Sequence, residues 1–188
     1  MRIVTLIGSI VGSKTRTAIK HTANLIADSY PEHEVTTIDL HDYHLPFSEG
    51  INYLDLHGDA LYVTKTIMEA DAIIIGTPIF QASIPGTLKN VFDLLPVNAF
   101  QDKVVSIVVT AGSSKHYLVP EQQLKPILAY MKAQIVQTYV FIEEMDFDKQ
   151  TIINDDVQFR LERLVEDTIM SVESHRIIRE QKEASYDF

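Results

Sequence analysis

Cysteine is absent from the 188 residues, which excludes disulfides, thiolate metal sites and a cysteine nucleophile. The absence fits a reducing compartment. Positive charge is scarce: 16 Lys and Arg stand against 26 Asp and Glu, a formal net charge of -10. So acidic a chain has no long-range attraction for nucleic acid or for an anionic membrane surface, and neither is expected as a partner. Any anionic ligand must then be held by local groups. Long hydrophobic runs are missing as well. The apolar start, Ile3 to Ile7, is cut short by Gly8-Ser9 and by Ser13-Lys14-Thr15-Arg16, where a secretion signal would stay apolar. No run approaches the ~18 residues of a membrane span. The expectation is a soluble, cytoplasmic protein.

What is present is an ordinary globular balance, 46% hydrophobic and 22% charged residues. The length suits one domain, expected over residues 1–175, with a charged tail over 176–188 that frays or extends the last helix. Short apolar, β-branched runs predict five strands: Arg2–Ile7, Val35–Leu40, Ala72–Gly76, Val104–Thr110 and Ile135–Phe141. Several are apolar almost throughout, as parallel strands buried on both faces must be. Between them lie segments of helical period. In Thr15–Tyr30, residues Ile19, Thr22, Ala23 and Ile26 form one stripe; in Glu121–Ala133 the stripe is Leu124, Ile127, Leu128 and Met131. Further helices are expected over Gly58–Ala70, from Pro85, and from about Asp155. Strands alternating with helices imply an α/β doubly wound parallel sheet with helices on both faces, and right-handed crossovers favour the order 2-1-3-4-5. The one long irregular connection is Asp42–His57, a candidate lid or interface loop.

Ligands of such sheets bind beyond the carboxyl ends of the strands, which directs attention to three loops. The first, Gly8 to Thr17, joins a strand to a helix and carries Ser9, Ser13, Thr15 and Thr17, with Lys14, Arg16 and Lys20 nearby. Amide groups at a helix start together with several hydroxyls make an anion site, and a helix cap needs only one hydroxyl. The loop lacks Gly-x-Gly-x-x-Gly, so it is not a dinucleotide fingerprint. It comes within one residue of a P-loop, but Ser13 stands where the second glycine belongs, and Asp71 precedes strand three rather than ending it. A monophosphate fits better. The second loop, Gly76 to Gly86, holds two prolines and Phe80, a stiff shelf on which a flat ring can lie. The third, Thr110 to His116, is rich in small residues that let backbone approach a ligand. The seven histidines are scattered, and His41 and His44 have no carboxylate pattern that makes a metal site. The carboxylates of Glu143–Asp156 are expected to form a solvated loop or face.

Gly76-Thr77-Pro78-Ile79-Phe80-x-x-Ser83-x-Pro85-Gly86-x-Leu88-Lys89-Asn90-x-x-Asp93 resembles the signature of the NAD(P)H-dependent FMN reductases, and Gly8-Ser9 with Ser13-x-Thr15 is similar to their phosphate loop. The likeness runs on through Asp93-Leu94-Leu95-Pro96, Lys103-Val104-Val105, Gly112, His116 and Leu124-Lys125-Pro126, covering about residues 1–142. It is strongest to the flavin reductase components of two-component monooxygenases, such as those of alkanesulfonate desulfonation. The resemblance implies a flavodoxin-like fold, FMN as cofactor, NAD(P)H as co-substrate, a homodimer or homotetramer, and a partner monooxygenase that receives reduced flavin. Carried over by position, Ser9, Ser13, Lys14 and Thr15 would hold the phosphate. Pro78, Ile79, Phe80, Gln81 and Ser83 would line the ring, and Thr110, Ala111, Gly112 and Ser113 would border its polar edge.

This chain departs from its relatives at three places. Val11 stands where many carry an arginine, leaving Lys14 or Arg16 to supply charge. Phe80 replaces a tyrosine, and Gln122 stands where sulfonate-type reductases carry a tyrosine in a bulged helix. The resemblance implies no catalytic side chain, because hydride transfer between nicotinamide and flavin needs no protein acid or base. The rival readings are a quinone or azo-dye reductase, a flavodoxin-type electron carrier and a non-catalytic nucleotide-binding module.

Overall fold

The computed structural model describes residues 1–185. Its central sheet is parallel, in the order β2-β1-β3-β4-β5, with β6 also beside β4. The strands are β1 (Arg2–Ile7), β2 (Glu34–Asp39), β3 (Ala72–Pro78), β4 (Val104–Ala111), β5 (Gln134–Ile135) and β6 (Val140–Glu143). β3 is buried at every position and β4 at all but its last, which explains their nearly continuous apolar sequence.

The helices are α1 (Lys14–Ser29), α2 (Gly58–Glu69), α3 (Gly86–Leu94), α4 (Lys125–Tyr130) and α5 (Asp155–Ala184). One core layer joins α1 and α5 to the sheet through Ile19, Ile26, Ile74, Val108, Leu161 and Val165. The other joins α2, α3 and α4 through Val63, Ile67, Ile75, Val91, Ile107 and Leu128. The expected flavodoxin-like doubly wound order is therefore the observed one. Among the described residues, no helix is long and apolar enough to cross a membrane.

Two stretches differ from the sequence expectation. The fifth strand is not continuous: β5 pairs with Val104–Val105 and β6 with Val108–Ala111, so residues 136–139 bulge out between them. The bulge is held by Lys125, whose ammonium donates to the Gln137 carbonyl at 2.8 Å, and by the Tyr139 hydroxyl, which donates to the Tyr117 carbonyl at 2.6 Å.

The segment after β6 is more than a solvated loop. Phe147–Asp148 (β7) and Thr151–Ile152 (β8) pair as an antiparallel hairpin. Asp146 is buried, accepting from the Glu143 amide at 2.8 Å and the Asn154 side chain at 2.6 Å. Of the two forms expected of the charged segment, fraying or extension of the last helix, the described part takes the second: α5 continues unbroken as far as Ala184, beyond its last buried residue, Val172. Residues 186–188 of the expected tail lie outside the described residues.

Candidate functional site

The carboxyl ends of β1, β3 and β4 are neighbours, so the three loops singled out above meet there. Two glycines allow the close approach. The Gly8 amide donates to the Gly76 carbonyl at 2.8 Å, and a side-chain carbon on Gly8 would sit 2.9 Å from that oxygen. A side-chain carbon on Gly76 would come within 2.2 Å of Ile19, so only glycine lets α1 lie so low over β3. Across that gap the Thr15 and Thr110 hydroxyls bond at 2.6 Å, buried, tying the first turn of α1 to the end of β4.

Above this floor is a cavity of 190 Å³. It is lined by Ser13, Lys14 and Thr15 from the first loop, Pro78, Ile79 and Phe80 from the second, and Thr110, Ala111 and Gly112 from the third. Nine of the thirteen expected site residues thus line one cavity. Ser9, Gln81, Ser83 and Ser113 do not. Ser9 is buried and shapes the loop: its hydroxyl donates to the Val11 carbonyl at 2.8 Å and accepts from the Val11 amide at 3.2 Å. The Ser83 hydroxyl turns away to the Gln123 side chain at 3.3 Å. Larger cavities lie elsewhere: one of 430 Å³ beyond Ile10, under Tyr43, and one of 490 Å³ between α3 and α4. Each touches the start of a helix, at Gly86 and Thr87 of α3 and at Pro126 of α4, but neither is lined by all three loops.

The polar groups of the small cavity suit an anion. Ser13 caps α1 by position, but its side chain makes no capping hydrogen bond, and no acidic residue sits in the first turn of α1. Among the described residues, the amides there and the Ser13 hydroxyl have no side-chain partner, and the helix dipole adds partial positive charge. Of the two candidate cations, Arg16 is turned away. Its guanidinium grips Asp39 through Nε and, at 3.3 Å, through Nη2, and Asp39 raises its pKa above the ordinary arginine value. Lys14 lines the cavity instead. Its ammonium donates to the Lys149 carbonyl at 2.9 Å, lies 3.3 Å from a Glu144 carboxylate oxygen, and sits 4.9 Å above the Phe147 ring.

Phe80, at the cavity's rim, belongs to a two-residue hairpin turn. Its amide and carbonyl pair with those of Ser83, both at 2.9 Å. The central residues Gln81 and Ala82 have φ of 50° and 57°, the paired left-handed conformation of a type I′ turn. Residues 120–124, next to this turn through Gln123, form a π-helical turn ahead of α4. Gln122 therefore sits in a bulged helix, as the tyrosine it replaces does in the sulfonate-type reductases that the sequence resembles.

Glu144 and Phe147 also line the cavity, and the sequence reading missed both. No local signal marks them; they reach the site only because β6 lies beside β4 and the β7–β8 hairpin folds back toward α1.

A family model described as NADPH-dependent FMN reductase matches residues 1–147. The chain is 34% identical over 165 residues to an NAD(P)H-dependent FAD/FMN reductase of Geobacillus thermodenitrificans, spanning 87% of this chain and 89% of that relative. It is 30% identical over 174 residues to an FMN reductase (NADPH) of Escherichia coli, spanning 88% and 87%. Among solved structures it is similar to an NADH:FMN oxidoreductase in its apo form, with a TM-score of 0.78 at 25% identity, over 90% of this chain and 89% of the other.

Proposed function

The chain belongs to the NADPH-dependent FMN reductase family, and from that premise we propose that it carries hydride from NADH or NADPH to FMN seated over the start of α1, releasing reduced flavin for a partner flavin-dependent monooxygenase. The observation that carries the phosphate end of this reading is the uncommitted Ser13 hydroxyl beside first-turn amides that face no carboxylate of their own helix. FMN, when bound, supplies the electron-accepting chemistry; the protein supplies position and electrostatics.

The residues divide that work. Ser13, Lys14 and the first-turn amides of α1 hold the phosphate. Thr15, committed to Thr110, fixes the turn that presents them. Pro78, Ile79 and Phe80 form the edge against which the ring lies, with Gln81 and Ser83 shaping the turn beside it. Backbone groups of Ala111, Gly112 and Ser113 meet the ring's polar edge, where donors stabilise negative charge on reduction. A cavity of 190 Å³ is smaller than sites that enclose a drug-sized ligand, ~300–1,000 Å³. A flavin held here keeps one ring face open, as stacking of a nicotinamide requires.

We take the chain to work in the cytoplasm and as a homo-oligomer. The apolar surface around Val97 and Tyr130, beside the cavity between α3 and α4, supports association.

Ser13→Ala tests the reading. Loss of one hydrogen bond to a charged phosphate should weaken FMN binding by about 1.5 kcal/mol, roughly tenfold, at unchanged thermal stability. Unchanged affinity in a fluorescence titration would remove the phosphate site. Steady-state oxidation of NADH and NADPH with varied free FMN tests the rest: sequential kinetics support flavin as an exchanging substrate, whereas ping-pong kinetics would make it a fixed prosthetic group. Turnover with a quinone or azo dye but not with free FMN would transfer the assignment to those acceptors.

A further inference from the structure

The cavity over α1 contains a carboxylate as well as a cation. Glu144, the residue after β6, lines it with Lys14, and the two are paired at 3.3 Å. A phosphate entering this cavity meets an ammonium already engaged, and a negative charge beside it. Lys14 is further held by the Lys149 carbonyl at 2.9 Å and stands over Phe147. Its position is therefore set by the turn after β6 and by the hairpin that follows, not by its own loop. The Lys14 side chain is mostly buried, at 24% exposure, while Glu144 is 65% exposed. Glu144 is thus the partner free to swing out, and Lys14 the one that stays.

We propose that Glu144 competes with the FMN phosphate for Lys14, so that flavin binding must displace Glu144 and the affinity for phosphorylated flavin is held low enough for exchange. The inference rests on the phosphate site assigned above and adds to it a residue that sets how tightly that site holds its ligand. Like charges at this spacing repel, and repulsion by a solvent-exposed carboxylate is moderate and salt-sensitive. Removing it should be felt by the phosphate and not by the ring. Among the described residues, the Glu144 side chain pairs with Lys14 alone, so Glu144→Gln preserves volume and removes only charge.

The test is a pair of titrations, with FMN and with riboflavin, on the wild-type chain, Glu144→Gln and Lys14→Met. At low salt, Glu144→Gln should lower the FMN Kd three- to tenfold and leave the riboflavin Kd unchanged. The gain should shrink toward twofold or less in 0.5 M sodium chloride. Lys14→Met should lose at least fivefold of the preference for FMN over riboflavin. Unchanged or weaker FMN binding by Glu144→Gln, an equal gain for riboflavin, or a preference kept by Lys14→Met would each overturn the proposal while leaving the flavin site in place. Failure of the wild-type chain to bind FMN at all would overturn the site itself, and this inference with it.

Discussion

At the scale of single residues, burial decides what each polar group is free to do. Arg16, Lys14 and Lys20 are equivalent as charges in the sequence. Only the structure divides them, because Asp39 is buried at the end of β2 and must be paired. Arg16 answers it with two nitrogens, which removes that cation from ligand binding. Tyr139 shows the same rule at a titrating group. Burial, the neighbouring Tyr117 and the hydrogen bond to the Tyr117 carbonyl all favour its neutral phenol and push its pKa above the ordinary tyrosine value of about 10. The folded state therefore binds a proton that the unfolded chain gives up above pH ~10, and stability falls as pH rises past that point. Tyr139→Phe should cost about 1 kcal/mol at pH 8, the net worth of the lost hydrogen bond. The cost should narrow by pH 11, because the variant has no phenol to keep neutral. Urea unfolding midpoints of both proteins at the two pH values measure it; a cost that grows with pH would contradict the assignment.

At the scale of elements, what was legible in the sequence was whatever depends on local period. β1, β3 and β4 were readable because both faces of each are buried, leaving nearly continuous apolar runs. The loops after them were readable because position in such a sheet directs ligands there. The bulge at 136–139 was not, since it is held by Lys125 on α4 and by the Tyr117 carbonyl, neither of them adjacent in the chain. Glu144 was invisible as a site residue for the same reason: its distance from Lys14, more than a hundred residues earlier in the chain, depends on β6 pairing with β4. The turn at Gln81-Ala82 lies between these cases. Its glycines and prolines announced a stiff loop, but not that a residue with a Cβ occupies a left-handed position, Ala82 at φ 57°. That conformation costs an L-residue about 1–2 kcal/mol relative to glycine, partly offset by glycine's greater freedom when unfolded. Ala82→Gly should therefore raise stability by about 0.5 kcal/mol, and flavin binding should hold or improve because the turn keeps its shape. A lower Tm would show that contacts of the Ala82 methyl group outweigh the strain.

At the scale of the whole molecule, charge works against the ligands proposed for the site. The chain carries a formal net charge of -10, while FMN and the nicotinamide nucleotides are all anions. The cavity's own cation is half cancelled, with Lys14 paired to Glu144. Many enzymes with anionic substrates present a positive field, and their rates fall as salt screens it. Here the long-range term has the opposite sign. Screening shortens from a reach of about 30 Å at 10 mM salt to about 8 Å at 150 mM. Short-range contacts of the kind proposed for Ser13 and the first-turn amides survive that change, while the repulsion from distant carboxylates does not. The kcat/KM for NADPH with saturating FMN should accordingly rise about two- to fivefold between 10 and 150 mM sodium chloride, with kcat nearly constant. NADPH should gain more than NADH, since its extra phosphate carries more charge through the same field. A fall in kcat/KM over that range would mean that a basic patch near the nicotinamide site outweighs the net charge, and that approach to the site is steered rather than opposed.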